Sequence, residues 1–159
     1  SAKGKYPVES VKMMSDISKR TDEFKKYKNV EMVRRNGDEI TVTEAVSRGA
    51  VSSAQILDAK LIICWTKTGR APRMIRKYGP TVPIIALTDS EQTARQLALV
   101  RGVRAYVEKD LDVADDFFRK AKEIASVHEE VKNGDLVVLV TGISETGTTN
   151  TFKIERIGE

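Results

Sequence analysis

The sequence is poor in the residues that most directly mark a site or a compartment, because its 159 residues contain one cysteine, one tryptophan and one histidine. The single cysteine, Cys64, excludes an internal disulfide and favours a buried thiol in a reducing compartment, so we expect a cytoplasmic protein. No apolar run approaches the roughly 18 residues that a membrane span needs. The polar, lysine-rich start does not resemble a signal peptide, so no membrane partner is expected.

The sequence also offers no persuasive catalytic group. His128 stands near the end of a predicted helix beside Glu129 and Glu130, where a lone histidine is far more often a surface residue than a base. Asp115 and Asp116 are adjacent, so they point in different directions from a helix and do not form a carboxylate pair. No metal-ligand spacing is present. We therefore predict no catalytic residue and no metal, and we favour binding over chemistry.

What the sequence does contain is a regular alternation of apolar runs and helical patterns. Strands are predicted at 61–65, 83–88, 103–107 and 136–141, and helices at 42–59, 72–78, 90–101 and 113–127. This alternation predicts a three-layer α/β/α fold around a mostly parallel sheet. Residues 151–157 follow strand 136–141 after a short loop, so the fifth strand must run antiparallel. It would form an edge that can pair with another subunit.

The first 42 residues are less regular. Residues 8–27 have apolar side chains near helical spacing and predict an amphipathic helix with Pro7 near its start. Residues 28–42 fit either a hairpin around Asn36-Gly37 or a helix end followed by a turn. The spacing of Thr41 and Glu44 is that of a capping box, which starts the next helix near Val42. That helix is expected to bury Ala45, Val46, Ala50, Val51, Ala54 and Leu57.

A polar turn after the strand at 61–65 is the strongest functional signal. A helix start presents unpaired N–H groups and partial positive charge, and we expect Pro72 at its first position. The predicted phosphate-binding residues are Thr66, Lys67, Thr68, Gly69 and Arg70. Most such junctions bind nothing, and this one has neither the P-loop spacing nor the glycines of a dinucleotide fingerprint. Residues 66–77 hold five cations and no acid, but no nucleic-acid motif accompanies them, so no nucleic acid is expected.

A second polar loop, at 142–150, leaves the carboxyl end of another predicted strand. Its candidate ligand-binding residues are Gly142, Ser144, Thr146, Gly147, Thr148 and Thr149. Ligands of parallel α/β sheets sit beyond the carboxyl ends of the strands, so the two segments would form one pocket for a polar, phosphorylated molecule. Equally, the loop is a hairpin whose Gly and Thr serve only turn geometry.

Four parts of the chain resemble pyruvate kinase, specifically its carboxy-terminal domain preceded by a piece of the catalytic barrel. Residues 2–14 resemble the entry to the final barrel helix, and residues 66–71 resemble the family's phosphate-binding loop. Residues 92–103 resemble the helix and strand that follow, and residues 134–138 with 147–151 resemble its last two strands. The resemblance covers nearly the whole chain, and the family's sheet has five strands with the last one antiparallel.

This resemblance implies a division of labour. Residues 1–27 would be the remnant of the final barrel helix and residues 28–159 the regulatory domain. In the family, phosphoryl transfer between phosphoenolpyruvate and ADP takes place in the barrel with magnesium and potassium, so this chain alone should be catalytically silent. The carboxy-terminal domain is similar to those that hold an allosteric effector, often fructose 1,6-bisphosphate, within a homotetramer. The turn at 66–70 would then bind one phosphate, and the loop at 142–150 would close over the sugar.

The chain departs from the family pattern in two places. Ala71 lacks the hydroxyl usual at that position, and residues 108–117 carry acids without the Trp and Arg often used for a second phosphate. Arg119 or Lys120 could substitute. The effector is therefore fructose 1,6-bisphosphate, a sugar monophosphate, a nucleotide, or none. The rival interpretations are a free-standing α/β ligand-binding or assembly module and a small phosphotransferase or phosphatase of flavodoxin-like topology.

Overall fold

The computed structural model describes residues 4–24, 39–109, 114–142 and 148–158. The chain divides into two compact units, residues 1–30 and residues 31–159. None of the described helices is long and apolar enough to cross a membrane. The hairpin or helix end expected within 28–42 lies mostly outside the described residues, which resume at position 39.

The first unit contains one helix, α1 (Pro7–Phe24). It begins at Pro7, whose fixed φ suits a helix start, as the sequence predicted. The predicted end at residue 27 lies outside the described residues. Its apolar side chains at the predicted spacing are more than half exposed, with Val8 at 74%, Val11 at 57% and Met14 at 52%. The helix therefore presents an uncovered apolar stripe.

The second unit is built on a five-stranded sheet. Its strands are β1 (Leu61–Trp65), β2 (Ile84–Thr88), β3 (Val103–Val107), β4 (Leu136–Thr141) and β5 (Thr151–Arg156). They lie in the order β3-β2-β1-β4-β5, and only the β4–β5 pair is antiparallel. This confirms the predicted α/β fold with an antiparallel last strand at one edge. The central strand β1 is fully buried from Leu61 to Cys64, because it has a neighbour on each side and a helical layer on each face.

Four helices cover the two faces of the sheet: α2 (Val42–Ile56), α3 (Arg70–Lys77), α4 (Glu91–Leu97) and α5 (Ala114–Ser126). Side chains of α2, α3 and α4 share one buried cluster with alternate sheet residues such as Ile62 and Cys64. Side chains of α5 share the other cluster with Leu61 and Ile63. The alternation of β1 between the two clusters follows the two-residue period of a strand, and it produces the predicted three layers.

The capping box predicted for α2 is present. The Thr41 hydroxyl accepts a hydrogen bond from the Glu44 N–H at 3.3 Å, and the Thr41 N–H donates to the Glu44 carboxylate at 3.2 Å. Lys77 of α3 also pairs with Glu44 at 3.0 Å. These two partners lower the pKa of the Glu44 carboxyl, the hydrogen bond from Lys77 most of all. The helix ends at Ile56, three residues before the predicted end.

The buried face of α2 differs from the predicted face. Ala50, Val51 and Ala54 are buried as expected and Val46 packs against the core cluster, but the expectation that Ala45 and Leu57 are buried was wrong. Ala45 is exposed, Val46 is half-buried and Leu57 is 41% exposed. Two hydroxyl residues, Thr43 and Ser47, take the buried positions nearest the helix start. A hydrophobic pattern cannot detect polar residues that pack inward, so the predicted face was rotated.

Candidate functional site

The predicted phosphate turn lies where β1 passes into α3. The turn consists of residues 66–69, and Gly69 is the N-cap of α3 with a φ of +75°. Only glycine adopts this left-handed conformation readily, so Gly69 turns the chain into the helix at Arg70. The expectation that Pro72 is the first helical residue was therefore wrong. Pro72 is the third, which is tolerated because N–H groups of the first turn have no partner within the helix.

Side chains from within the turn and from α3 fix its backbone. The buried Thr66 hydroxyl accepts a hydrogen bond from the Gly69 N–H at 2.9 Å, and the Thr66 N–H donates to the Leu87 carbonyl of β2 at 2.9 Å. The Arg73 guanidinium donates to the Thr68 carbonyl at 3.2 Å. We predicted that Thr66 would donate a hydroxyl bond to a ligand. Its hydroxyl oxygen supports the turn, and the residue is 6% exposed.

Helix α4 supplies a further support for the turn. The Thr93 hydroxyl donates to the Lys67 carbonyl at 2.9 Å, and Thr93 itself is only 7% exposed. The Thr93 N–H donates to the Ser90 hydroxyl, which caps α4. Sequence reasoning missed Thr93. The capping serine at position 90 was a detectable signal for the start of α4, but nothing in the sequence pairs Thr93 with a turn 26 residues earlier.

The turn presents several N–H groups without partners. Among the described residues, no acceptor receives a hydrogen bond from the backbone N–H of Thr68, Arg70 or Ala71, and Gly69 has no side chain to cap the helix. The cationic side chains of Lys67 and Arg70 are exposed beside them. N–H groups without an acceptor among the described residues, the positive end of a helix dipole and two cations are features that favour an anion at this turn. The geometry suits a phosphate better than a neutral ligand.

The stems of the second predicted loop lie next to this turn. β1 and β4 are neighbours with Cys64 opposite Val140, so the turn and the loop leave adjoining strands at the same edge of the sheet, about 5 Å apart. Gly142, Thr148 and Thr149 lie on the stems, whereas Ser144, Thr146 and Gly147 lie outside the described residues. Ligands of parallel α/β sheets bind beyond the carboxyl ends of the strands, and this rule predicts that the turn and the loop stems lie together there.

Close packing fixes the loop stems. A Cβ placed on Gly142 would collide with the backbone carbonyl of Thr148, so the two stems touch where only a glycine fits. The buried Thr149 presents its carbonyl to the Thr43 hydroxyl of α2 at 3.4 Å. Thr149 is thus a buried residue of the stem, and Thr148 is an exposed one.

The cations considered for a second phosphate are already engaged by carboxylates. Arg119 pairs with Asp116 at 3.2 Å. Lys120 lies 3.7 Å from Glu108 and 3.6 Å from Glu123. A phosphate at either cation would have to displace a carboxylate or lie beside it, and like charges at that distance oppose binding. The structure therefore gives neither residue the surroundings of a phosphate ligand.

An open groove of about 680 Å³ lies elsewhere, between the β2–β3 part of the sheet and the last turns of α5. Its lining runs along β3 from Gly102 to Glu108, and none of the described residues 66–71 lines it. His128 lines this groove, and its Nδ1 accepts the Glu130 N–H at 3.4 Å. The groove is separate from the candidate phosphate site.

The described residues offer little nucleophilic or metal chemistry. Cys64 is completely buried in β1, and burial raises the pKa of its thiol well above the ordinary value, which opposes thiolate formation. Among the described residues, no group of three or more His, Cys, Asp or Glu side chains is placed to hold a metal ion.

Comparison with known proteins points to one family. The family model "Pyruvate kinase, alpha/beta domain" matches residues 44–155. The chain is 36% identical to pyruvate kinase of Geobacillus stearothermophilus over 160 residues and 40% identical to that of Lactobacillus delbrueckii subsp. bulgaricus over 162 residues. Both alignments cover 99% of this chain but only 27% and 28% of those proteins. The chain thus spans about a quarter of their length.

Solved structures show the same likeness. A crystal structure of pyruvate kinase from Cryptosporidium parvum aligns with a TM-score of 0.68 and 35% sequence identity, covering 75% of this chain and 23% of that one. The Cryptosporidium parvum enzyme in complex with ADP aligns with a TM-score of 0.67 and 34% identity, over 75% of this chain and 24% of the other.

Proposed function

The chain belongs to the pyruvate kinase family as its carboxy-terminal α/β domain, and on that premise we propose that it binds a phosphorylated effector and contributes to assembly of a homotetramer. Phosphoryl transfer from phosphoenolpyruvate to ADP, with magnesium and potassium, belongs to the part of the full-length protein outside these residues. The domain is then a regulatory, cytoplasmic element of a glycolytic kinase.

The β1–α3 turn is the observation that carries this proposal. Its carbonyls at Lys67 and Thr68 are held by side chains, while the N–H groups of Thr68, Arg70 and Ala71 have no acceptor among the described residues. Donors that are already in place lose little conformational freedom when an anion binds. Hydrogen bonds to a charged phosphate contribute roughly 1.5–3 kcal/mol each, about twice the value for neutral partners.

We propose that only one phosphate group of the effector contributes to binding. The turn supplies one set of donors that have no acceptor among the described residues, and the two cations considered for a second phosphate, Arg119 and Lys120, are paired with carboxylates. Hence a sugar monophosphate should bind about as tightly as fructose 1,6-bisphosphate. Exposed Thr148 lies on the loop stem beside the turn, where it can contact the sugar.

For assembly, the relevant feature is strand β5. It pairs with β4 on one side, and no strand of the described chain pairs with its other side. Unpaired N–H and C=O groups along such an edge are a template for pairing with a second chain. We propose that two copies meet along this edge.

Isothermal titration calorimetry of the 159-residue chain with fructose 1,6-bisphosphate and glucose 6-phosphate tests effector binding. Removing the cation in Arg70→Ala, or the hydroxyl in Thr68→Ala, should weaken binding by about tenfold or more, because each change removes a bond to a charged phosphate. Arg104→Ala is the matched control, because this exposed arginine lines the separate groove. The affinity of this variant for both sugar phosphates should equal that of the parent chain. Absence of saturable heat with both sugars, or equal weakening by the control, would contradict the proposal.

A further inference from the structure

We propose that Thr93 is a positioning residue that aims the Thr68 amide of the β1–α3 turn at the bound phosphate. This inference rests on the proposed function of the turn and adds a residue that does not touch the ligand. Thr93 lies on the first turn of α4, which follows the neighbouring strand β2. Its hydroxyl donates to the Lys67 carbonyl at 2.9 Å.

The direction of the Thr68 amide follows from peptide geometry. The carbonyl of Lys67 and the N–H of Thr68 belong to one planar trans peptide, so they point in opposite directions. Because Thr93 holds this carbonyl, the Thr68 N–H points away from α4. No described residue accepts a hydrogen bond from that N–H, which leaves it available to a ligand oxygen. Without the Thr93 hydroxyl, the peptide could rotate and lose this alignment.

Thr93 is itself rigidly placed. Its N–H donates to the capping hydroxyl of Ser90 at 3.2 Å, and its side chain is nearly buried. The next peptide of the turn is fixed separately, since Arg73 donates to the Thr68 carbonyl and the Gly69 N–H donates to Thr66. The two supports therefore act on different amides. Loss of Thr93 should disturb Thr68 while leaving the α3 N-terminus, and so the Arg70 amide, in place.

The test compares Thr93→Val, which keeps the shape and removes the donor, with Thr93→Ser, which keeps the donor. Amide signals of the 15N-labelled 159-residue chain are recorded without ligand and during titration with inorganic phosphate. In the Val variant we expect a shifted Thr68 signal before ligand is added and a weaker Thr68 response to phosphate, with the Arg70 response retained. Affinity for phosphate should fall about tenfold or more, which is the value of one lost hydrogen bond to a charged group. The Ser variant should match the parent.

The outcomes separate this inference from the proposed function. If the parent chain shows no response to phosphate, the proposed function fails, and positioning is still judged by the ligand-free Thr68 signal. An unchanged Thr68 signal in Thr93→Val, or a Ser variant that behaves like Val, overturns the inference. If the Val variant does not fold, Thr93→Cys replaces it, because the thiol occupies the position of the serine hydroxyl, with a somewhat larger atom, and donates only weakly.

Discussion

Adding one methyl group at Gly69 should damage this domain more than the same change at another left-handed glycine. Gly69 has a φ of +75°, and an L residue there costs roughly 1–2 kcal/mol. The new Cβ would also lie 3.0 Å from the Arg73 guanidinium and 3.3 Å from Leu97 Cδ2. The arginine end can move, but Leu97 is fully buried, so overpacking adds about 1 kcal/mol or more. Gly69→Ala should therefore cost about 2–3 kcal/mol in total.

Gly134→Ala supplies the matched control, since Gly134 has a φ of +92° and nothing within 4 Å of its added Cβ. That variant should lose only the backbone contribution of roughly 1–2 kcal/mol. Urea unfolding can be followed by the fluorescence of Trp65, the only tryptophan, which lies at the end of β1 beside the turn. The additional loss of unfolding free energy in Gly69→Ala corresponds to a melting temperature about 2–4 °C lower than that of Gly134→Ala. Equal destabilisation of the two variants would refute the contribution assigned to Leu97.

Three other expectations follow from burial and charge. Hydrogen bonds from Lys122 and Lys153 lower the pKa of Glu155 below its ordinary value of 4.5. The ionised carboxylate therefore stabilises the folded state fully above pH 4.5, the ordinary value, and this stabilisation is lost as the pH falls through the lowered pKa. Glu155→Gln should flatten acid unfolding curves in that range, and an unchanged curve would contradict the assignment. The Cys64 thiol should react with a disulfide reagent at least ~10³-fold more slowly in the folded than in the unfolded chain; rapid labelling of native protein would show that β1 is accessible. The exposed apolar stripe of α1 should cause self-association at high concentration, measured by sedimentation, and Val11→Lys with Met14→Lys should reduce it; a monomeric parent chain would count against this expectation.

The central strands β1, β2 and β4 could be predicted closely because burial on both faces produces continuous apolar runs, whereas the edge strands β3 and β5 are largely exposed. The bounds of β1, β3 and β4 agree with the predicted 61–65, 103–107 and 136–141, and β5 differs by one residue at its end. Helix bounds were less accurate. The capping pair Thr41 and Glu44 located the start of α2, but its buried face includes Thr43 and Ser47, whose polarity conceals their burial. Helix α4 ends at Leu97 rather than at residue 101.

The position of the candidate site could be predicted from the sequence, but the contacts that support its backbone could not. Strand ends and polar residues locate the turn at 66–70, and the sheet order places the loop stems beside it. The supports of the turn were not predictable, because Thr93 and Arg73 are ordinary residue types whose roles depend on contacts across the fold. The start of α3 was missed for a related reason, since the left-handed Gly69 sets the helix start independently of the proline.

The contact between Gly142 and Thr148 also bears on how this scaffold can evolve. The two stems are joined at their base, and the β4–β5 ladder begins at the pair Thr141 and Thr151. The register of β4 and β5 is therefore set without reference to the residues between the stems, and lengthening a loop costs little free energy. Under the proposed function, changes confined to this short interval can alter which metabolite is recognised, while the fold and the turn at 66–69 are inherited unchanged.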